Sequence, residues 1–285
     1  MHKLIIFALL VSTLHLQAKS LFSNDEQVEN AKYINSLKDL VIATQKTRGL
    51  TNSYLNGNES TLLLIHGNKR DMKRAIGIME SLPLSSNPIV SSRATDISQS
   101  LIKLNNKAFK LKPSVAFDSY TEQIEQTLML AQTVSKQGSG ELNQLGQEAS
   151  VIMMESILPL TEQIGRMRGM GSGIIAKGEI NKTQKFLILT MLEEIDDINN
   201  KLQSDMNIII SANRDSYDAT IEKNLKLSQQ SILKYTTLTK TKVLNGGTSL
   251  NADDYFSEGT DIISILINIF NSNNQAIIKD SKGWI

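Results

Sequence analysis

Two arginines in apolar surroundings are the side chains of this protein best placed to do chemistry. Arg48 lies seven residues after Val41 and seven before Leu55, in a stretch whose apolar residues recur at alternating steps of three and four. Such a stretch forms a helix that buries one face, so Arg48 is directed towards a core. A guanidinium keeps its proton in proteins and is costly to bury alone. Arg48 must therefore pair with a carboxylate on a facing helix, extend to solvent or bind an anion.

The sequence that follows Arg48 recurs 120 residues later. Arg48-Gly-Leu-Thr-Asn-Ser-Tyr-Leu-Asn-Gly-Asn-Glu59 and Arg168-Gly-Met-Gly-Ser-Gly-Ile-Ile-Ala-Lys-Gly-Glu179 share an arginine–glycine pair, a large apolar residue after it, two bulky apolar residues, a later glycine and a glutamate. A duplicated ion pair would explain why the arginines recur, but not why the glycines do. A duplicated ligand-binding element also explains the glycines, because glycine lets a backbone or a ligand approach closely.

Arg168 is also expected to face inward, since it lies four residues after Ile164 and three before Gly171. The repeat makes the two arginine–glycine pairs candidates for a ligand-binding element, with Arg166 as a weaker third cationic candidate and Arg214, at a helix junction, as a fourth. The expected ligand-binding residues are thus Arg48, Gly49, Arg168, Gly169 and Arg166.

Other kinds of site lack the residues that they need. Cysteine is absent, and the histidines are His2, His15 and His66, which leaves one beyond the N-terminal segment. The glycine-rich stretch at 165–173 follows a helical pattern rather than a strand, and Lys177 does not complete a phosphate-loop motif. Lys and Arg total 30 against 29 for Asp and Glu, so no global positive field favours nucleic acid. We therefore expect no enzyme, no metal and no cofactor.

The helical period extends over almost the whole chain and predicts an all-α protein. Apolar residues recur at steps of three and four, and almost nowhere at steps of two. Pro83 and Pro88 are expected to bracket a connection, Pro113 to open a helix and Pro159 to kink one. We predict two packed antiparallel four-helix bundles, with eight helices at residues 24–56, 60–81, 88–111, 113–137, 141–177, 181–211, 214–243 and 252–282.

The N-terminus has the pattern of a secretory signal peptide. Lys3 gives a basic start, residues 4–16 are mostly apolar, and Ala18 is a small residue at a suitable cleavage position. An uncleaved anchor or a buried first helix is the alternative, although the apolar run is shorter than the roughly 20 residues of a membrane span. We expect residues 1–18 to be removed and residues 19–285 to form one helical domain, periplasmic or secreted.

The two arginine motifs resemble those of the nitrate- and nitrite-sensing domain family, NIT. The first helix of that family carries an arginine–glycine motif like Gln45-Lys-Thr-Arg-Gly-Leu50, and a second comes later, as in Gly165-Arg-Met-Arg-Gly-Met-Gly-Ser-Gly173. The stretch at 252–261 is similar to the closing helix of the family, where an aromatic pair precedes a threonine. The resemblance covers residues 24–280. It departs at Thr47, where the family often has an acidic residue.

This resemblance implies a pair of helical bundles that binds nitrate or nitrite through arginines and changes conformation on binding. NIT domains usually accompany an output module. None follows here, so a separate membrane histidine kinase or chemoreceptor is the expected partner, and the resemblance is compatible with a homodimer. The alternative is a secreted structural or scaffolding helical protein without a small-molecule ligand, whose arginines pair with carboxylates.

Overall fold

The computed structural model describes residues 2–140 and 142–281, and the side chains of residues 26–140 and 142–279. This part of the chain is helical and contains no strand. The predicted signal peptide lies outside the residues whose side chains are described. The α-helices are α1 His2–Leu55, α2 Leu62–Ser81, α3 Pro88–Lys107, α4 Pro113–Ser139, α5 Gln144–Ile152, α6 Leu158–Lys177, α7 Lys182–Ala212, α8 Ile221–Thr241 and α9 Ala252–Ser281.

Helices α5 and α6 run into each other through a π-helical turn, Met153–Ile157. Counted together, α5 and α6 correspond to the one helix predicted at 141–177. With this pair counted as one, the α-helices of the described residues match the eight predicted helices. Pro159 lacks an N–H, and its ring crowds the carbonyl four residues before it, which belongs to the π turn. The helix distortion predicted at Pro159 therefore takes the form of this π turn. Helix α1 begins before the predicted start at residue 24, in a sequence without glycine or proline to end it.

The predicted helix starts and turns are confirmed at the expected residues. Pro88 and Pro113 are the first residues of α3 and α4. Gly246 and Gly247 have φ of +89° and +68°, a backbone region that glycine enters without steric cost. The Asn251 side chain then caps α9, because its Oδ1 accepts hydrogen bonds from the backbone nitrogens of the second and third residues of that helix at 2.8 and 3.1 Å.

The helices pack in two groups that meet along α1 and α6. In the first group, α1 contacts α2 and α4, and α3 contacts the same two helices. In the second, α6 contacts α7 and α9, and α8 contacts the same two helices. This arrangement is compatible with two four-helix bundles side by side, and a single apolar core runs through both. Within the described residues, no helix has the length and apolar character needed to cross a membrane.

The face of α1 predicted from the sequence is buried as expected. Its residues at steps of three and four, from Ile34 to Thr51, are all buried, and Leu55 at the end is partly so. On α6 most residues are buried, including Gly165 and Gly169, which lie on either side of Arg168 in the sequence. The two central helices thus bring both arginine motifs into the interior of the protein.

Candidate functional site

The two arginine–glycine motifs meet where α1 and α6 cross. A Cβ atom built on Gly169 would lie 2.9 Å from the Cα of Gly49, and one on Gly49 would lie 3.2 Å from the Cα of Gly169. The two backbones therefore touch, with no room for a side chain between them. The two helices run in the same chain direction at the crossing, because Gln45 lies beside Gly165 and, further along both helices, the Asn52 side chain donates to the Gly169 carbonyl oxygen at 2.8 Å. Each glycine admits the backbone of the other motif.

Arg48 is fully buried and paired with a carboxylate. Its Nη1 donates to Glu162 Oε1 at 2.6 Å and its Nη2 to Glu162 Oε2 at 3.2 Å, which makes a bidentate ion pair. Nη1 also donates to Thr121 Oγ1 at 2.9 Å. The guanidinium carbon lies 4.9 Å from the centre of the Phe117 ring. Gln45 Nε2 donates to the same carboxylate at 2.9 Å, and the Arg48 Nε has no hydrogen-bond partner. The carboxylate expected under the structural alternative is therefore present.

Arg168 is equally buried, with 2% of its surface exposed, but has no carboxylate within ion-pair distance among the described residues. Its Nη1 donates to Thr260 Oγ1 at 2.8 Å, and its guanidinium carbon lies 4.4 Å from the centre of the Phe256 ring. The Nε atom is buried without a hydrogen-bond partner. The pKa of Arg168 is lowered to about 10, mainly by burial and to a smaller extent by the charge of Arg48, against the opposing effects of Tyr235 and Glu162. The protein thus buries a cation without a matching anion.

The surroundings of the two arginines repeat one another. Arg48 stacks on Phe117 and donates to Thr121 four residues later on α4. Arg168 stacks on Phe256 and donates to the threonine four residues later on α9. A spacing of four places the ring and the hydroxyl on one face of a helix. The duplication noted in the arginine motifs therefore extends to the helices that cover them, and the ion pair of Arg48 is where the two halves differ.

Arg166 does not join the other two arginines. Two residues along a helix correspond to a rotation of about 200°, so Arg166 points away from the face that carries Arg168. It lines a separate cavity of about 180 Å³ with Glu125, Gln163 and Glu162. The Nε of Arg166 is buried without a hydrogen-bond partner, like that of Arg168, and its expected contact with the ligand stays a prediction.

The fourth candidate, Arg214, lies on the surface. Its Nη1 is 3.4 Å from Glu222 Oε1, and about half of its side chain is exposed. His66 is exposed on α2, with its ring 6.1 Å from that of Phe109. Neither residue takes part in the crossing of α1 and α6.

A surface groove of about 530 Å³ lies beside the Arg168 site. Phe256 and Thr260, the two residues that contact the Arg168 guanidinium, also line this groove together with Leu50. Its outer edge is formed by Leu63 and Leu64, whose side chains are largely exposed. One layer of side chains therefore separates the unpaired cation from the outside.

Glu162, Phe117 and Thr121 contact Arg48 but were not predicted from the sequence. The repeated Phe-x-x-x-Thr spacing, at 117–121 and 256–260, was a usable signal, because both copies place a ring and a hydroxyl one helical turn apart. Glu162 also had a signal, since it is an acidic residue three positions before Gly165 in a stretch of apolar residues. The partners of each arginine follow from which helices become neighbours, which the sequence pattern did not specify.

Comparisons with known proteins agree with this architecture. The model of a family described as nitrate and nitrite sensing, NIT, matches residues 39–271. The solved structure of the NasR transcription antiterminator is similar in fold, with a TM-score of 0.69 and 11% sequence identity, over 96% of this chain and 74% of that one. At this identity the likeness concerns the helical fold alone. A search of curated proteins finds no match.

Proposed function

Because its sequence matches the family model over residues 39–271, this chain belongs to the NIT family of nitrate- and nitrite-sensing domains, and we propose that it binds one of these anions where α1 and α6 cross. The proposed contacts are the guanidinium of Arg168 and the Nε of Arg48, the Arg48 nitrogen that Glu162 leaves without a partner, with Gly169 and Gly49 allowing the two helices to approach. The protein acts as a sensor rather than an enzyme in this proposal.

The observation that carries the proposal is the buried, unpaired guanidinium of Arg168. It has one hydroxyl and one aromatic ring as partners and an Nε atom with none. A planar trigonal oxyanion matches the planar fork of a guanidinium, and such charge-assisted hydrogen bonds are stronger than neutral ones. Nitrate or nitrite would supply the negative countercharge that the Arg168 guanidinium lacks. The same anion would offset the charge of Arg48, which disfavours the protonated form of Arg168.

The proposed signal is a shift between two packings of the central helices. The backbones of α1 and α6 already touch at Gly49 and Gly169, so the proposed shift is a change in how the helices and their side chains pack around this contact. An anion that binds one of the two packings more tightly shifts the population towards it, by an amount set by its differential affinity. We propose that this change is passed to a separate membrane histidine kinase or chemoreceptor and that the protein works outside the cytoplasm.

Thermal unfolding at constant ionic strength tests the ligand. Nitrate or nitrite at about 100 times its dissociation constant should add roughly 2.7 kcal/mol to the free energy of unfolding. Chloride and sulfate should add much less. Arg168→Met should abolish the nitrate effect, since it removes the charge and keeps most of the volume. Arg166→Met, two residues away on the same helix, is the matched control and should retain the stabilisation by nitrate.

Equal small shifts from all four anions would contradict the proposal. They would favour the alternative of a structural or scaffolding helical protein, for which the completed ion pair between Arg48 and Glu162 is the supporting observation. In that case both arginines would serve packing alone, and nitrate would act only as ordinary salt.

The proposed location has a test of its own. Expressed in a Gram-negative host, the chain should be recovered from the periplasmic fraction with a mass reduced by about that of residues 1–18, because the N-terminal pattern is that of a cleaved signal peptide. Intact mass spectrometry of the fractionated protein measures this. Recovery of the uncleaved chain from the cytoplasm would overturn the proposed location and leave the anion site untouched.

A further inference from the structure

We infer that Glu162 sets the charge of this site, so that it takes one monovalent oxyanion and discriminates against divalent ones. The inference rests on the proposed function and concerns selectivity, which the family relationship leaves open. It gives Glu162 a role that a purely structural ion pair would not have.

The first argument is the balance of buried charge. The charged side chains buried at the crossing, among the described residues, are Arg48, Arg168 and Glu162, which sum to +1. Lys38 is also buried, but it lies ten residues before Arg48, about 15 Å along the helix, and has Asp39 at 3.0 Å. Net charge is costly in a dry interior. One monovalent anion would bring the crossing to neutrality, whereas a divalent anion would leave it at −1.

The second argument is the geometry of the Glu162 carboxylate. Its two oxygens accept from the two terminal nitrogens of Arg48 at 2.6 and 3.2 Å. Two oxygens on a planar trigonal centre are also what nitrate and nitrite present to a guanidinium. Glu162 therefore occupies one of the two equivalent guanidinium forks as a built-in anion. The fork of Arg168 is left for an anion from solution.

The third argument comes from the repeat. Because α1 and α6 are parallel and meet at equivalent glycines, the residue of α1 that is equivalent by the repeat to Glu162, the partner of Arg48, is residue 42. Position 42, which lies 120 residues before Glu162, is an isoleucine. An acid here would complete the symmetry and neutralise both arginines. The apolar Ile42 keeps the site one negative charge short.

Isothermal titration of the wild-type chain and of Glu162→Gln with nitrate and with sulfate tests the inference. The glutamine keeps the size and hydrogen-bonding capacity of the side chain and raises the charge of the site to +2. We expect wild type to bind one nitrate per chain. In the variant, the ratio of the sulfate to the nitrate dissociation constant should fall by at least about tenfold, since two charges a few ångströms apart interact by several kcal/mol at intermediate dielectric. Glu125→Gln, which removes an exposed carboxylate from the cavity next to Glu162, should leave the ratio unchanged.

A second variant covers the case in which Glu162→Gln does not fold. Ile42→Glu adds a carboxylate at the equivalent position and should weaken nitrate binding by at least about tenfold, because the site becomes neutral. Ile42→Gln controls for the change in polarity. An unchanged sulfate-to-nitrate ratio in Glu162→Gln, or unchanged nitrate binding in Ile42→Glu, overturns the inference about Glu162 alone. Absence of nitrate and nitrite binding to wild type overturns the proposed function, and the inference with it.

Discussion

Replacing Arg48 with methionine should lower the free energy of unfolding by about 3–5 kcal/mol, whereas the same change at Arg168 should leave it unchanged or raise it. Glu162 is 5% exposed, and its partners are Arg48 and Gln45, so the loss of Arg48 leaves a buried carboxylate without a cation. At Arg168 the change removes a cation that has no carboxylate partner. The Thr260 hydroxyl keeps its own hydrogen bond to the Phe256 carbonyl at 2.9 Å, so no buried hydroxyl loses every partner.

Urea unfolding in chloride buffer, without nitrate or nitrite, measures this contrast. The double variant Arg48→Met with Glu162→Gln is the control, because removing the charge left behind should recover most of the stability lost by Arg48→Met alone. Equal losses at the two arginines would show that Arg168 is compensated as fully as Arg48. The proposed anion site would then lose its main support.

Alanine at Gly169 should destabilise the protein by about 1–3 kcal/mol, although alanine usually favours a helix over glycine. The added Cβ would lie 2.9 Å from the Cα of Gly49 and 3.0 Å from the ring of Phe117. A backbone atom cannot turn aside as a flexible side chain can, so α1 and α6 must separate. This separation stretches the contact between Arg48 and Glu162 and weakens any anion site formed by the two motifs.

Gly77→Ala provides the matched control for this effect. Gly77 lies in the interior of α2, and a Cβ built there meets nothing within 4 Å. Alanine at this position should raise the free energy of unfolding by about 0.5–1 kcal/mol, the ordinary helix preference. Chemical unfolding of both variants measures the difference in sign. A Gly169→Ala variant as stable as Gly77→Ala would mean that the crossing is looser than the structure indicates.

Periodicity in the sequence was enough to predict the helices, because each buries one face whatever its neighbours are. The burial of Arg48 followed from its place among Val41 and Leu55, and the match of the arginine motifs followed from the repeat. Glu162 was not predicted as the partner of Arg48, since the two are 114 residues apart and meet only when α1 and α6 pack together. Arg166 is turned by about 200° from Arg168 around α6, which the motif alone does not show, and its expected contact with the ligand stays a prediction.

The groove beside Arg168 bears on how fast a sensor of this kind can respond. Phe256 and Thr260 contact the Arg168 guanidinium and also line the groove, so an anion binding as proposed would reach Arg168 by displacing side chains rather than by opening the core. Side-chain rotations take far less time than the collective rearrangement of helices. Occupancy should therefore follow the surrounding concentration with little delay, and the delay of the whole response would come from the slower movement of the helices. A sensor that works as proposed would report the present supply of its ligand and keep almost no memory of an earlier one.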